Sequence, residues 1–230
     1  MTEEEWLAEQ KRPKEMLSRL LQLGKAQRTE ASERKLRLFV CGCCRLMWDP
    51  LDDIVLRPAL AVAEQFADGE AGPIELQKSF KKAVRLLNER LREPGPQARR
   101  ASHVTEILSY TCAANAKSAA FRATRFPVDL ADHSMWAIEG EAVVRHLLRD
   151  IFGNPFRPAV MKREWIAAND RSVEAVARSI YEERDFDRLP ILGDALEDAG
   201  CDDEAILGHC RGPGPHVRGW WVVDAILGKA

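Results

Sequence analysis

The sequence predicts an all-α protein, an irregular multi-helix bundle of about nine or ten helices with no substantial sheet. The first observation is a three- and four-residue spacing of apolar side chains, clearest at Leu36, Phe39, Val40, Cys43 and Met47. The second is that no segment alternates apolar and polar residues as half-buried strands do. Val222 and Val223 form the most strand-like spot, and that spot is too short to carry a sheet.

Two helical pieces are predicted at the start of the chain. Thr2 and Glu5 have the spacing of a capping box, in which side chains bind the free backbone N–H groups of a helix start. Pro13 interrupts this first helix. We expect a second piece to reach about Leu23 and to end at Gly24, because glycine favours the position just after a helix.

Three longer helices follow. The first starts at Ser32, which can cap it, and ends at Asp49–Pro50. The second covers about 51–67 and contains Pro58, which we expect to kink it or to split it in two. The third covers about 73–92 and is followed by a run of Pro and Gly residues that stops it.

The remaining helices are separated by Gly and Pro signals, and their predicted ranges are about 97–125, 134–152, 162–184, 189–199, 202–210 and 219–227. The clearest boundary lies between the first two of these, and a second candidate boundary lies at 153–158. It divides the chain into an N-terminal region, 1–126, and a C-terminal region, 134–230. The two regions could also form one continuous domain.

The composition is that of a globular protein, with 46% hydrophobic residues, 30% charged residues and a net charge of -2. No stretch approaches the roughly 20 apolar residues that span a bilayer, so we expect no membrane partner. The first five residues lack the basic and apolar regions of a signal peptide. The six cysteines form a poor disulfide framework. Together these observations predict a cytoplasmic protein.

Charge is unevenly distributed along the chain. Residues 78–125 contain eleven Lys or Arg and three Glu, whereas residues 164–204 contain thirteen Asp or Glu and four Arg. Either the two segments pack against each other, or one of them binds an oppositely charged partner. The candidate nucleic-acid-binding residues of the basic segment are Lys78, Lys81, Lys82, Arg85, Arg99 and Arg100.

The most unusual loop has the sequence HCRGPGPHVRG and joins the last two predicted helices. It carries Arg211, His216 and Arg218 just before a helix start. Free N–H groups at a helix start and paired guanidinium groups favour an anion such as a phosphate or a carboxylate. The alternative is that the arginines pair with acidic side chains such as Asp198 or Asp202.

A metal site is a further hypothesis. Cys41 and Cys44 share a helix face and, with His209 and Cys210, would offer the thiolates and imidazole that zinc prefers. The alternative is that the cysteines are small core residues of an amphipathic helix. A second Cys pair at zinc-finger spacing is missing, and we therefore predict no cofactor and keep zinc as an alternative.

The sequence favours a non-enzymatic role, since it contains no phosphate-binding loop, nucleophile elbow or zinc-protease motif. Our first hypothesis is a helical module that binds another protein through a charged face or an exposed tryptophan. The second is a binder of nucleic acid or a phosphate ligand through residues 78–125 and the loop 211–218. The third is a zinc-stabilised domain.

Several phrases of the sequence resemble an uncharacterised family of planctomycete-type bacterial proteins. The resemblance lies in residues 148–158 and 186–201, in the loop through Val223 and Asp224, and in the N-terminal segments 5–7 and 32–44. It covers about two thirds of the chain. The sequence departs from that pattern at Trp220, where a cysteine is expected, and this weakens a metal role for the loop. The resemblance implies a bacterial cytoplasmic protein and no activity.

Overall fold

The structure is a computed structural model that describes residues 1–8, 10–27, 33–46, 53–90, 92, 116–125 and 134–229. The all-α prediction is confirmed, because these residues form twelve α-helices and no strand. Ten of the helices have seven residues or more. Val222 and Val223, the most strand-like spot of the sequence, lie buried in the last helix.

The helices in chain order are α1 (Glu3–Leu7), α2 (Pro13–Gln27), α3 (Glu33–Leu46), α4 (Asp53–Ala67), α5 (Pro73–Arg90), α6 (Ala116–Ala123), α7 (Ser134–Phe152), α8 (Arg163–Ala167), α9 (Ser172–Glu183), α10 (Leu189–Asp198), α11 (Glu204–Arg211) and α12 (Trp221–Leu227). Short 3-10 turns, Asn169–Arg171 and Phe186–Arg188, precede α9 and α10.

Two compact units are distinguished along the chain. The N-terminal unit comprises Glu3–Leu148, and the C-terminal unit begins at Arg149, in the last turn of α7. The domain boundary predicted between 126 and 134 falls on residues outside the described ranges, so that division stays a prediction.

The N-terminal unit is built around α3, which packs against α4 and α6. Its three cysteines are buried, and Arg45 at its end makes two hydrogen bonds, of 2.6 and 3.0 Å, to the buried carboxylate of Glu64. Arg34 Nε donates a hydrogen bond to Asp68 Oδ1 at 2.8 Å. The two donors of Arg45 satisfy both oxygens of the Glu64 carboxylate, which is why that side chain tolerates burial.

The C-terminal unit packs α9 against α10 and α12, and α10 against α11. Its core contains apolar residues from all these helices, among them Val173, Ile180, Leu192, Ile206 and Val222. Cys210 and Trp220 belong to the same core. Gly193 permits the close approach of α10 and α11, since a Cβ added there would lie 3.1 Å from the Cβ of Cys210.

Two helix predictions were wrong. The helix predicted over 162–184 is divided, because Asn169, Asp170 and Arg171 have positive φ angles of 49°, 53° and 62°, which a right-handed helix excludes. Gly24 does not end α2, which continues to Gln27. Pro58 lies inside α4 without dividing it.

Among the described residues, no helix combines the length and the apolar character needed to cross a membrane.

Candidate binding site in the C-terminal unit

A buried carboxylate and an imidazole lie together in the C-terminal unit. Asp150, in the last turn of α7, is fully buried, and its Oδ1 lies 2.6 Å from Nδ1 of His216. The backbone N–H of Val217 donates to Oδ2 of the same carboxylate at 3.2 Å. Because a buried carboxylate is costly unless it is paired and hydrogen-bonded, these contacts fasten the loop of residues 212–219, the Gly/Pro loop, to the end of α7.

The environment of Asp150 favours the charged form of His216. Burial by itself lowers the pKa of His216, but the hydrogen bond to Asp150 and the negative charge of that carboxylate raise it by more. Asp150 also lies at the C-terminal end of a helix, where the helix dipole disfavours an anion. A protonated His216 compensates both the burial and the position of the carboxylate.

Aromatic rings enclose this pair. His209 Nε2 lies 3.4 Å from Asp150 Oδ1, and its ring stacks on the buried ring of Trp220 with centroids 5.3 Å apart. The ring of Trp221 covers Gly153, 3.4 Å from the position that a Cβ would take there. The two adjacent tryptophans therefore both pack within the unit, and neither is an exposed docking side chain.

A cleft of about 390 Å³ opens beside His216. One wall is the connector between α9 and α10, in which Arg184 has a left-handed backbone (φ 58°). This connector brings Asp185 and Asp187 to the cleft. The opposite wall is the Gly/Pro loop, which contributes Pro215 and His216.

The three residues of the predicted anion site have separate partners. Arg211 Nη2 binds Asp194 at 2.8 Å and also contacts Glu197. His216 is held by Asp150, and the guanidinium of Arg218 lies 4.5 Å from the ring centroid of Tyr181. An anion at this loop would have to compete with these contacts, and the anion site stays a prediction.

The alternative to an anion site is that the arginines of this loop pair with acidic side chains. Asp198 and Asp202 are the sequence's examples of acidic partners, and Arg211 binds Asp194 and Glu197 of α10. Asp202 forms an ion pair with Lys162, with 3.7 Å between Oδ1 and Nζ. Arg211 therefore pairs with acidic side chains, as this alternative expects.

The predicted zinc ligands are buried cysteines and one histidine of the ring stack. Burial raises the pKa of the Cys41 thiol well above its usual value and raises that of Cys210 to about 12. Cys44 is buried beside Cys41 in α3. Zinc binds the deprotonated thiolate, and burial disfavours that form of these thiols. Their environments are therefore typical of core cysteines. The zinc site, which also includes His209, stays a prediction.

The predicted nucleic-acid residues fall into two groups. Lys78, Lys81, Lys82 and Arg85 are exposed within two turns of α5, and we call them the basic face of α5. The other two, Arg99 and Arg100, lie outside the described residues.

Comparisons with known proteins give no family: no family model matches the chain, and no curated protein and no solved structure matches it. The resemblance to planctomycete-type proteins therefore stays a prediction. The site must be understood from its own geometry.

Sequence reasoning missed Asp150, Asp185 and Asp187. A signal for Asp150 exists, because it lies in the last turn of α7 among the buried residues Leu147 and Ile151. A carboxylate on the apolar face of a helix requires a partner. No local pattern indicates that the partner lies 66 residues away.

Proposed function

We propose that the protein is a non-enzymatic helical interaction module of a bacterial cytoplasmic protein, and that its C-terminal unit binds a positively charged partner protein. The observation that carries this proposal is an acidic surface. Residues 164–204 contain thirteen carboxylates against four arginines, and the exposed carboxylates include Glu182, Asp187, Asp198 and Glu204. A surface of one charge sign attracts partners of the opposite sign and speeds their association.

Asp150, His216 and Cys210 are of residue types that often act in catalysis, but their environments favour a structural role. Asp150 and His216 are used to hold the Gly/Pro loop. The thiol of Cys210, with its pKa raised to about 12 by burial, is protonated at neutral pH, whereas a nucleophilic cysteine must be a thiolate.

The proposal is tested with three fluorescent peptides of equal length, in which serine alternates with arginine, lysine or glutamate. We expect the two basic peptides to bind the full-length protein at low salt. Their affinity should fall by about tenfold when the ionic strength rises from about 0.05 to about 0.5 M, because surface charges are screened. Fluorescence anisotropy measures both effects. The glutamate peptide is the control, and failure of both basic peptides to bind at low salt would contradict the proposal.

The basic face of α5 supports a second function, nucleic-acid binding. Lys78, Lys81, Lys82 and Arg85 present four cations within about 11 Å along the helix axis, given a rise of about 1.5 Å per residue. This spacing allows contacts with successive phosphates of a nucleic-acid backbone.

A gel shift with duplex DNA tests the second function. A variant with Lys78→Gln, Lys81→Gln and Lys82→Gln should bind more weakly and should lose about 0.9 unit of salt slope for each lost phosphate contact. The matched control replaces three lysines elsewhere, with Lys11→Gln, Lys14→Gln and Lys162→Gln. Equal binding by both variants, or no shift at low salt, would remove the nucleic-acid function.

A further inference from the structure

We propose that the buried Asp150 and three histidines around it bind a zinc ion, which ties the Gly/Pro loop to α7 and α11. The histidines are His146, His209 and His216. This site goes beyond the proposed function and does not depend on it. It shares only His209 with the zinc site that the sequence predicts, and it contains no cysteine.

Two imidazoles converge on one carboxylate oxygen. Oδ1 of Asp150 lies 2.6 Å from Nδ1 of His216 and 3.4 Å from Nε2 of His209. In a tetrahedral zinc site with bonds of about 2.0–2.1 Å, neighbouring ligand atoms lie about 3.3 Å apart. By the same bond lengths, two imidazoles on one ion have ring centroids about 5 Å apart. Those of His209 and His216 lie 5.9 Å apart, so the cluster is already close to the geometry of a zinc site.

The third imidazole comes from the same helix as Asp150. His146 lies one helical turn before Asp150 in α7, so the helix itself places both side chains on one face. A ring nitrogen of His146, a carboxylate oxygen of Asp150 and a ring nitrogen of His216 all lie within 4.8 Å of one another. Small side-chain rotations bring these atoms to the separations that zinc requires.

The surroundings of the cluster suit a bound metal ion. The side chain of Asp150 is fully buried, and those of His216 and His209 are 7% and 23% exposed. Nε2 of His209 is buried and makes no hydrogen bond with the residues that the structure describes. A buried nitrogen in that state is costly, whereas a bond to a metal ion uses its lone pair. The stacked ring of Trp220 holds this imidazole in place.

The ligand types favour zinc over magnesium and calcium. Imidazole nitrogen suits zinc and related transition-metal ions, whereas magnesium and calcium take oxygen ligands. Four protein ligands fill a tetrahedral coordination sphere and leave no position for a reacting water molecule, as in structural zinc sites. The ion therefore holds segments of the chain together and supplies no reaction.

Zinc takes the place of a proton at the buried carboxylate. In the metal-free protein, the contact with His216 compensates for the buried charge of Asp150. A zinc ion bound to both groups compensates for the same charge and displaces the proton between them into solvent. The ion also recruits His209, so that one centre joins the end of α7, α11 and the Gly/Pro loop.

The first test is a titration of the chelator-treated full-length protein with Zn²⁺. Competition with a coloured zinc chelator gives the affinity, and elemental analysis gives the stoichiometry. We expect one zinc ion per chain with a Kd below about 1 μM, and we expect excess Mg²⁺ not to displace it. Absence of stoichiometric zinc binding at this concentration would overturn the proposal.

The second test compares two double variants. The cluster variant carries His146→Gln and His209→Gln, which remove two ligands and keep the buried hydrogen-bonded pair. The matched control carries His103→Gln and His133→Gln, the two other histidines of the sequence. We expect the cluster variant to bind zinc at least about a hundredfold more weakly, because losing even an outer partner of a ligand costs about 10–100-fold. The control should stay within about twofold of the unmodified protein, and equal affinities of the two variants would show that the cluster is not the site.

Cobalt in the unmodified protein separates this site from a cysteine site without any substitution. Thiolate ligands give Co²⁺ an intense charge-transfer band in the near ultraviolet, which imidazole and carboxylate ligands do not. We expect the visible absorption of tetrahedral Co²⁺ without that band. A thiolate band would assign the metal to the cysteines and contradict the proposal.

Discussion

The two units bury acidic side chains in different ways. In the N-terminal unit, Glu64 and Asp68 are bound by arginines of α3, which remain charged throughout the neutral pH range. In the C-terminal unit, the buried Asp150 is bound by a histidine and a backbone N–H. Histidine changes its charge near neutral pH. The buried carboxylates of the N-terminal unit therefore have partners whose charge is constant near neutral pH. The buried carboxylate of the C-terminal unit has a partner whose charge changes with pH.

The two units also differ in which charged side chains form ion pairs and which are exposed. Arg34 and Arg45 of α3 pair with Asp68 and Glu64, whereas Lys78, Lys81, Lys82 and Arg85 of α5 are exposed. In the C-terminal unit, Arg211 and Arg188 neutralise part of the acidic surface, because Arg211 pairs with Asp194 and Glu197 and Arg188 pairs with Glu183. Charge counts along the sequence do not reveal which of these charges are already paired.

The largest expected effect comes from removing the buried carboxylate of the C-terminal unit. Asp150→Asn should destabilise that unit by about 3 kcal/mol, because it leaves buried hydrogen-bonding groups without their charged partner. Hydrogen exchange of residues 172–227 measures the loss. The exposed control, Asp198→Asn, should change stability by less than about 0.5 kcal/mol. Equal exchange rates for the two variants would show that the Asp150 contacts do not hold the unit together.

A smaller effect is expected at the contact of α10 with α11. Gly193→Ala should cost about 1–2 kcal/mol, because its Cβ would lie 3.1 Å from the Cβ of Cys210. Gly208→Ala is the matched control on α11, with no atom within 4 Å of the added Cβ. It should stabilise the helix by about 0.5–1 kcal/mol. Chemical denaturation measures the free energy of unfolding of both variants. A stabilising Gly193→Ala would mean that the two helices are not in close contact.

The smallest expected effect is a pH dependence confined to the C-terminal unit. The pKa of His216 is raised in the folded protein, so its stabilising contribution is complete below the ordinary histidine pKa of about 6.5. That contribution is lost as the pH rises through the raised pKa. Hydrogen exchange of the unit in the metal-free protein between about pH 5.5 and about pH 8.5, a range that includes the ordinary histidine pKa, should show that its stability falls as the pH rises. His216→Asn should flatten the dependence, and an unchanged slope in that variant would assign it to another group.

Local patterns predicted much of the fold. The helix over 134–152 has both predicted ends, because a serine precedes its apolar face and Gly153 follows it with φ +67°. The division of 162–184 was missed, because positive φ angles at Asn169, Asp170 and Arg171 leave only a weak signal in residue type.

The candidate site was less predictable than the fold. The unusual loop was recognised from its glycines and prolines, and His216 was singled out on it. Its partner Asp150 was missed because tertiary pairing across 66 residues has no periodic signature. The cleft depends on the connector that contains Asp185 and Asp187 folding back toward that loop, which only the tertiary structure supplies.

The most direct measurement is to follow backbone amide chemical shifts of the ¹⁵N-labelled full-length protein during titration with the arginine peptide. We expect saturable shifts within residues 164–204, and little change along 78–92. Shifts concentrated on 78–92, or no saturable shift anywhere, would contradict the assignment of the partner site to the acidic C-terminal unit.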